Sequence, residues 1–416
     1  MYPDRVRPVT ALQPWEAAAV SLSLTKSEPS TRNTYGGYLP SQLFAPASEE
    51  ACVDIVRQAC AEALPLVCLG GGTTIDDTLR PLASRFATVE LRGLRNTLEV
   101  RTADSLVTVA AGLPFAEVQR ALQAENQQLT MDPPVAESAT VGGVVAANAY
   151  GLRRAFSGPV ADSVVAVRVI TGTGEVIRAG APVVKNAAGY DLCRLISGSR
   201  GALAIVTEVT LRIAPRPAYQ VQMAFAFGSL SDAIQTTWAL AVEVACLDYV
   251  ALGGGLFPDA PLLLLCSTSG TRRHVARVHQ QVRSCLKGTA EELAIPCMAQ
   301  AEETARQALH GCGFTAAVRW CVPRAMAAGL LPDLAAVSER WVWLAPVGII
   351  SAAAYRDGVD AFVGAIRHRH LGDGQLGALR WLRLPADYRR DSGKTRPATS
   401  EMVRRLKAVF DPHGIL

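Results

Sequence analysis

Two glycine-rich segments carry residue types that can bind an anion, and the first follows a short apolar run. Residues 70–74 read GGGTT and residues 64–69 read LPLVCL, a run typical of a buried strand. Consecutive glycines bring backbone N–H groups close to an anion, and the two threonine hydroxyls add donors. The segment is neither a Walker A loop nor a GxGxxG motif. A plain structural turn explains it equally well.

The second segment, residues 138–151, reads SATVGGVVAANAYG and gives a stronger indication. Thr140, Gly142 and Gly143 can hold phosphate oxygens, and the small residues that follow leave room for a flat ring. Asn148 can offer its amide to the edge of that ring. The alternative is a helix of small residues packed against a neighbour. That alternative does not explain why Pro133 and Pro134, Thr140 and the glycine pair precede the small residues.

A third segment, residues 185–211, places two glycines between a helical turn and a strand. It reads KNAAGYDLCRLISGSRGALAIVTEVTL, in which Gly198 and Gly201 precede an apolar run at 204–211. Glycine has no Cβ and tolerates positive φ, so backbone amides at such a junction can approach a ligand closely. The pattern predicts an α+β enzyme with a buried ligand.

The frame that positions these segments is predicted to contain two domains, because 416 residues are many for one core. The elements predicted before residue 217 are a helix at 49–62 with Ser48 as N-cap, strands at 87–91, 98–101, 105–112 and 160–170, and a helix after Pro114. Those predicted beyond it are strands at 221–227 and 261–267 and helices at 231–247, 271–286 and 399–410.

Composition and charge exclude several classes of protein. The net charge of +4 is spread along the chain, whereas nucleic-acid binding needs a concentrated basic face. No apolar stretch approaches the roughly 18 residues of a spanning helix, so we expect a cytoplasmic protein. Peripheral contact with the inner face of the membrane is compatible with this expectation. The ten cysteines form no Cys-x-x-Cys pair, which argues against an iron–sulfur cluster or structural metal in this chain.

The order of these motifs resembles a known family. Together with LRGLRNTLEV, MDPP, LRRAFSG, KNAAGYD and the terminal FDPHGIL, it is similar to the FAD-binding oxidoreductases of the vanillyl-alcohol oxidase type, also called the PCMH fold. Within them it looks most like the FAD-binding E subunit of bacterial glycolate oxidases. The match covers residues 38–217 and the last dozen residues, and no motif between 218 and 375 matches.

The resemblance implies a PCMH-type FAD-binding domain of two α+β subdomains and an α+β cap. The implied bounds are an N-terminal arm at 1–37, the FAD-binding domain at 38–217, a cap or subunit-contact domain at 218–375 and a returning segment at 376–416. The residues implied to bind the cofactor are Gly70, Gly71, Gly72, Thr73, Thr74, Pro133, Thr140, Gly142, Gly143, Ala147, Asn148, Ala149, Gly201, Ile205 and Val206.

Within that set, the resemblance assigns residues 70–74 and 140–143 to the pyrophosphate, 147–149 to the ribityl chain and isoalloxazine, and the backbone of 205 and 206 to the adenine. Lys185, Asn186 and Tyr190 are implied to lie on the flavin side or to pack there. The first histidine is His274, and residues 130–151 contain no cysteine. The usual covalent tethers of the family are therefore missing there, and we expect non-covalent FAD.

Catalytic residues are less evident. Arg153 and Arg154 are candidates for clamping a carboxylate, since guanidinium binds it bidentately; an exposed turn or a subunit contact is the alternative. The histidine-rich stretch that can bind a metal in catalytic relatives is absent, because His368 and His370 form the only close pair.

Three functions stay open on this basis. The chain oxidises a 2-hydroxy acid such as glycolate or D-lactate through FAD, as a subunit beside a sister FAD subunit and an iron–sulfur subunit. Alternatively, it binds FAD for assembly or electron relay while a sister subunit carries the substrate site. A stand-alone oxidase of an alcohol or sugar is the third. Ala204 and Arg200 depart from the family, which usually has glycine at 204 and a small or acidic residue at 200.

Overall fold

The computed structural model describes residues 26–27, 38–74, 85–181, 191–258, 260–288, 290–293, 295–311, 314–372, 378–383 and 397–416. Helices and strands are mixed throughout these residues, and the strands form three larger sheets and one two-stranded ribbon. The predicted α+β class is therefore confirmed. The predicted Lys185, Asn186 and Tyr190 lie outside the described residues.

The elements before residue 217 alternate short strands with short helices. In chain order they are β1 (Lys26–Ser27), β2 (Gln42–Phe44), α1 (Glu49–Ala61), β3 (Leu66–Leu69), β4 (Ala87–Glu90), β5 (Leu98–Arg101), β6 (Leu106–Ala110), α2 (Phe115–Ala124), β7 (Gln127–Gln128), α3 (Val141–Ala147), α4 (Arg154–Ser157), α5 (Val160–Ser163), β8 (Val164–Thr171), β9 (Val176–Gly180), α6 (Leu192–Ile196), β10 (Ala204–Arg212) and β11 (Ala214–Pro215).

The elements beyond residue 217 are longer. They are β12 (Tyr219–Phe227), α7 (Leu230–Glu243), β13 (Tyr249–Phe257), β14 (Ala260–Gly270), α8 (Arg272–Cys285), β15 (Ala290–Glu292), α9 (Ile295–Leu309), β16 (Ala316–Cys321), α10 (Arg324–Val337), β17 (Arg340–Leu344), β18 (Ile349–Ala354), α11 (Val359–Gly372), β19 (Ala378–Arg383) and α12 (Pro397–Phe410).

Short polar side chains fix where the helices begin. The predicted N-cap Ser48 accepts a hydrogen bond from Ala51 N at 3.2 Å. Thr140, Asp191, Ser229 and Thr271 cap α3, α6, α7 and α8 in the same manner. Each cap satisfies an N–H group that the helix itself leaves unpaired.

Two sheets build the N-terminal half. β1, β2, β4 and β3 form the first in that order, and β2 and β3 both run parallel to β4. β5, β6, β10, β8 and β9 form the second, which is antiparallel throughout. The predicted strand at 160–170 begins only at Val164, because Pro159 opens the helical turn α5 before it.

The cap, meaning the eight-stranded sheet with α7 to α11, is buried on both faces. The strand order is β15-β12-β14-β13-β17-β18-β16-β19. Successive residues of β14 alternate between two apolar clusters, since Leu264 joins the cluster under α7 and α8 while Leu263 and Leu265 join the one under α9. Tyr150 and Leu152 of the N-terminal half belong to this second cluster, so the two halves share a core there.

The end of the chain packs on the N-terminal half. Ile415 O accepts from Leu66 N at 2.5 Å, and the side chain of Phe410 lies in the core of the five-stranded sheet. The carboxylate of Asp411 accepts from the N–H groups of Ile415 and Leu416 at 2.9 and 2.8 Å. The terminal FDPHGIL thus forms a capped turn beside β3. The domain bounds given by the resemblance stay a prediction.

Candidate functional site

The first two glycine segments lie in direct contact. A β-carbon on Gly70 would be 2.2 Å from Thr140 Oγ1, and one on Gly71 would be 1.8 Å from the carbonyl oxygen of Ser138. Only glycine fits at either position without displacing the neighbouring segment. The two segments predicted separately to bind an anion therefore form one wall.

The turn after β3 supplies free donors. Gly72 adopts φ +71°, a left-handed conformation that glycine tolerates. In the part of the chain that the structure describes, the N–H groups of Gly70, Gly71 and Gly72 donate to no protein acceptor. Adjacent unpaired N–H groups in such a turn form an anion-binding concavity.

The glycines at the start of α3 suggest free N–H groups for an anion, but these N–H groups already have acceptors within the protein. The N–H groups of Val141 and Gly142 donate to Leu113 O and Ala111 O at 2.9 and 2.8 Å, and that of Gly143 donates to Thr140 Oγ1 at 3.3 Å. These N–H groups are committed within the protein, so Gly142 and Gly143 serve close packing. The hydroxyl hydrogen of Thr140 remains the donor that can face a phosphate.

The third segment closes the other end of α3. Gly198 N and Arg200 N donate to Val145 O and Ala146 O at 3.0 and 2.8 Å. Gly201 has φ +79°, and a β-carbon on it would be 3.1 Å from the β-carbon of Cys68, two residues before the glycine turn. All three segments therefore meet around α3. The hydroxyl of Ser199 is buried here without a partner in the described residues, as expected where a ligand supplies one.

One edge of β10 is open beside this cluster. Ala204, Ile205 and Val206 pair with β8 on one side, while the ladder to β6 begins only at Glu208. No described strand covers the other edge of this stretch. Backbone groups at such an edge can hydrogen-bond the rim of a planar base.

The segment after α3 is held to the prolines before it. Asn148 ends α3 at φ 48° and ψ 48°, and its Oδ1 accepts from Val160 N at 3.0 Å. A β-carbon on Gly151 would be 2.0 Å from Asp132 O. The carboxylate of Asp132 also accepts from Arg153 N at 3.2 Å. Residues 131–134, which contain Pro133, and residues 147–153 thus form one rigid corner.

Comparison with known proteins agrees with this geometry. Residues 40–180 match the model of the FAD binding domain family. The chain is 37% identical over 169 residues to glycolate oxidase subunit GlcE of Escherichia coli, covering 40% of this chain and 47% of that protein. Residues 40–180 are an FAD-binding domain of the PCMH type.

Another relative matches over a larger share of this chain. The mitochondrial D-lactate dehydrogenase (cytochrome) of Arabidopsis thaliana is 29% identical over 60% of this chain and 46% of its own length. The chain spans about half the length of the curated relatives it matches. A solved alkyldihydroxyacetonephosphate synthase superposes with a TM-score of 0.68 at 17% identity, over 91% of this chain and 76% of that one, which supports the fold alone.

FAD fits the residues present in the FAD-binding domain. Its pyrophosphate needs several donors, and the free N–H groups of 70–72 and the hydroxyl of Thr140 lie side by side. Its adenine needs an edge of backbone groups, which Ile205 and Val206 offer. Its planar ring is predicted to lie beside Ala147 and Ala149, whose small side chains pack on the core of the five-stranded sheet. The individual contacts stay a prediction.

The two arginines predicted to clamp a carboxylate contact different partners. Arg153 Nη2 lies 3.3 Å from Asp248 Oδ2, and the side chain of Asp248 is only 3% exposed. Arg153 therefore already has a carboxylate, supplied by the cap. Arg154 points elsewhere, with its Cζ 5.3 Å from the centre of the Tyr150 ring.

Sequence reasoning missed a polar cleft of about 680 Å³ between the FAD-binding domain and the cap. Asp132 and Pro133 line it together with Tyr249, Glu302 and Arg306. Burial raises the pKa of the Asp132 carboxyl to about 6, against the opposing effects of Arg306 and Arg153. The only sequence signal was the spacing of Glu302 and Arg306, which places them on one helical face.

Among the described residues, no three histidine, cysteine, aspartate or glutamate side chains lie close enough to hold one metal ion. Within the same ranges, none of the helices has the length and apolar character needed to cross a bilayer.

Proposed function

We propose that this chain is the FAD-binding subunit of a glycolate oxidase- or dehydrogenase-like complex that oxidises a 2-hydroxy acid, glycolate or D-lactate. The observation that carries the proposal is the convergence of residues 70–72, 138–143 and 198–201 on one cradle. The likeness to glycolate oxidase subunits and to D-lactate dehydrogenases supports the substrate class.

Within this proposal each part of the cradle has one task. The N–H groups of 70–72 and the Thr140 hydroxyl hold the pyrophosphate, and the open edge of β10 holds the adenine. Pro133 and Ala147, Asn148 and Ala149 flank the ribityl chain and the ring. When bound, FAD supplies the acceptor for the hydride of the substrate carbon.

The flavin is proposed to be non-covalent. Cys68 lies beside the cradle, since a β-carbon on Gly201 would be 3.1 Å from that of Cys68, and burial raises its thiol pKa to about 12. A protonated thiol is a poor nucleophile, so no tether is expected from it. No histidine precedes His274 in the sequence.

We further propose that electrons leave the flavin for a partner, a sister FAD subunit or an iron–sulfur subunit. The supporting observation is that two of the relatives, GlcE of Escherichia coli and GlcD of Bacillus subtilis, are named as subunits of glycolate oxidase. Peripheral association with the inner face of the membrane through such partners is part of the same proposal.

Anaerobic reduction of the bound flavin tests the proposal. Glycolate and D-lactate are added separately to the purified chain, and then to the chain reconstituted with its partner subunits. Bleaching by either acid in the isolated chain supports a complete substrate site here. Bleaching only in the complex supports the relay or assembly role. Peroxide formation with an alditol or lactone, without response to either acid, would contradict the proposal and indicate a stand-alone oxidase.

A further inference from the structure

Tyr150, the residue directly after the predicted ring-binding segment, lies under two guanidinium groups. Its ring is in the buried cluster of the cap. The Cζ of Arg154 lies 5.3 Å from the ring centre, and that of Arg319 lies 4.7 Å from it. His310 Nε2 is 2.7 Å from the carbonyl oxygen of Tyr150. The negative face of an aromatic ring attracts cations, so the ring gathers two positive charges from different parts of the fold.

Neither guanidinium has a carboxylate partner in the described residues. Arg319 donates one bond to the carbonyl oxygen of Leu309. The Nε atoms of Arg154 and Arg319 are both buried and donate to no acceptor in those same ranges. The two neighbouring arginines at this junction, Arg153 and Arg306, contrast with them because each is paired with a buried carboxylate.

Two cations on one ring repel each other, and buried N–H donors without an acceptor cost free energy. An anion that accepts hydrogen bonds from both guanidinium groups relieves both effects. Both guanidinium groups act on the thiol of Cys321. Burial raises the pKa of this thiol, and the positive charges of Arg319 and Arg154 each oppose that increase. A carboxylate suits two guanidinium groups, since each offers a planar fork of N–H donors.

We propose that Arg154 and Arg319 together bind the carboxylate of the substrate. Arg154 comes from the FAD-binding domain and Arg319 from β16 of the cap, so a bound acid bridges the two halves. Tyr150, whose ring both guanidinium groups contact, directly follows Ala149 of the predicted ring-binding segment. A 2-hydroxy acid carries its carboxylate on the carbon that loses hydride, so the carboxylate site must lie close to the ring. This inference rests on the proposed function.

Binding of oxalate tests the inference without turnover. Oxalate presents carboxylates and has no C–H bond to give up. Its Kd for the flavin-loaded chain is measured by calorimetry and by the change in the flavin spectrum, for the wild type, Arg154→Met and Arg319→Met. We expect each methionine substitution to raise the Kd for oxalate by about tenfold or more, because a hydrogen bond to a charged group is lost. Arg319→Lys, which keeps the charge without the fork, should fall in between.

Arg340→Met is the matched control. Arg340 also lies over an aromatic ring of the cap, with its Cζ 5.4 Å from the ring centre of Phe314. Loss of this second stacked arginine should leave the oxalate Kd unchanged. Circular dichroism checks the fold of each variant, and Arg154→Met keeps the test decisive if the β-strand variant Arg319→Met does not fold.

The outcomes separate this inference from the proposed function. An unchanged oxalate Kd in folded Arg154→Met and Arg319→Met overturns the carboxylate site, even if glycolate reduces the flavin. Arginine-dependent oxalate binding with a flavin that neither acid reduces, with or without partners, supports the site and refutes the proposed function. Reduction by glycolate with an unchanged KM in both variants also overturns the site.

Discussion

Substitution of Gly71 by alanine is the sharpest perturbation of the predicted cofactor cradle. The added β-carbon would lie 1.8 Å from the carbonyl oxygen of Ser138 and 3.2 Å from the α-carbon of Ala139. Both are backbone atoms and cannot rotate aside. Ordinary contact between such atoms needs about 3.5 Å, so the turn at 70–72 or the segment at 138–140 must shift by roughly 1.5 Å.

A shift of that size takes N–H donors out of hydrogen-bond range of a phosphate. Hydrogen bonds to charged groups are worth about 1.5–3 kcal/mol each. Loss of two of them weakens FAD binding by at least about a hundredfold. Overpacking lowers the free energy of unfolding as well, by about 1–3 kcal/mol. The assays are FAD content of the purified Gly71→Ala chain, calorimetric titration of the apo chain with FAD, and urea unfolding.

Gly228→Ala is the matched control, since a β-carbon on Gly228 meets no atom within 4 Å. It should bind FAD as the wild type does. A Gly71→Ala chain with wild-type FAD content and wild-type affinity would refute the assignment of the 70–74 turn to the cofactor.

Two further substitutions test the corner between the FAD-binding domain and the cap. Asp132→Asn removes a carboxyl whose pKa is raised to about 6 from 3.8. The folded wild type therefore binds the proton of Asp132 more tightly than the unfolded chain does. As the pH rises from about 4 to about 6, the free energy of unfolding of the wild type should fall by up to about 3 kcal/mol relative to that of the variant. Urea titrations across that pH range measure how the free energy of unfolding depends on pH. Asp54→Asn, which replaces an exposed carboxylate, is the control and should keep the pH dependence of the wild type. Arg153→Met leaves the buried Asp248 without its cation and should lower the free energy of unfolding by about 3 kcal/mol. Arg120→Met, which breaks an exposed pair, should cost less than about 1 kcal/mol.

A flat difference between wild type and Asp132→Asn across that pH range would contradict the buried carboxyl. Equal stability losses for Arg153→Met and Arg120→Met would contradict the role given to the Asp248 pair. Restoration of most of the loss in a chain that combines Arg153→Met with Asp248→Asn would confirm that an unpaired buried charge causes it.

The glycine segments could be predicted from sequence because their function is local. A glycine between a strand and a turn reports on backbone conformation at that position, and Gly72 and Gly201 both adopt positive φ. The strand predicted at 160–170 begins at Val164 for an equally local reason, since Pro159 opens a helical turn over the four residues before it.

Side-chain partners across the fold could not be predicted in this manner. Arg153 and Arg154 are adjacent and chemically identical, yet one pairs with Asp248 and the other lies over the ring of Tyr150. Which partner each finds depends on how β16 and β13 pack against residues 148–154. No periodicity within either segment carries that information, because the contacts join residues distant in the sequence.

The central claim is that this chain holds FAD in a cradle of three glycine segments without a covalent bond. The visible absorption spectrum of the purified chain, taken before and after acid precipitation, tests it most directly. We expect the bands of oxidised flavin in the native protein and free FAD in the acid supernatant. A colourless, folded chain that takes up no added FAD would contradict the cradle, and yellow protein in the pellet would contradict the non-covalent site.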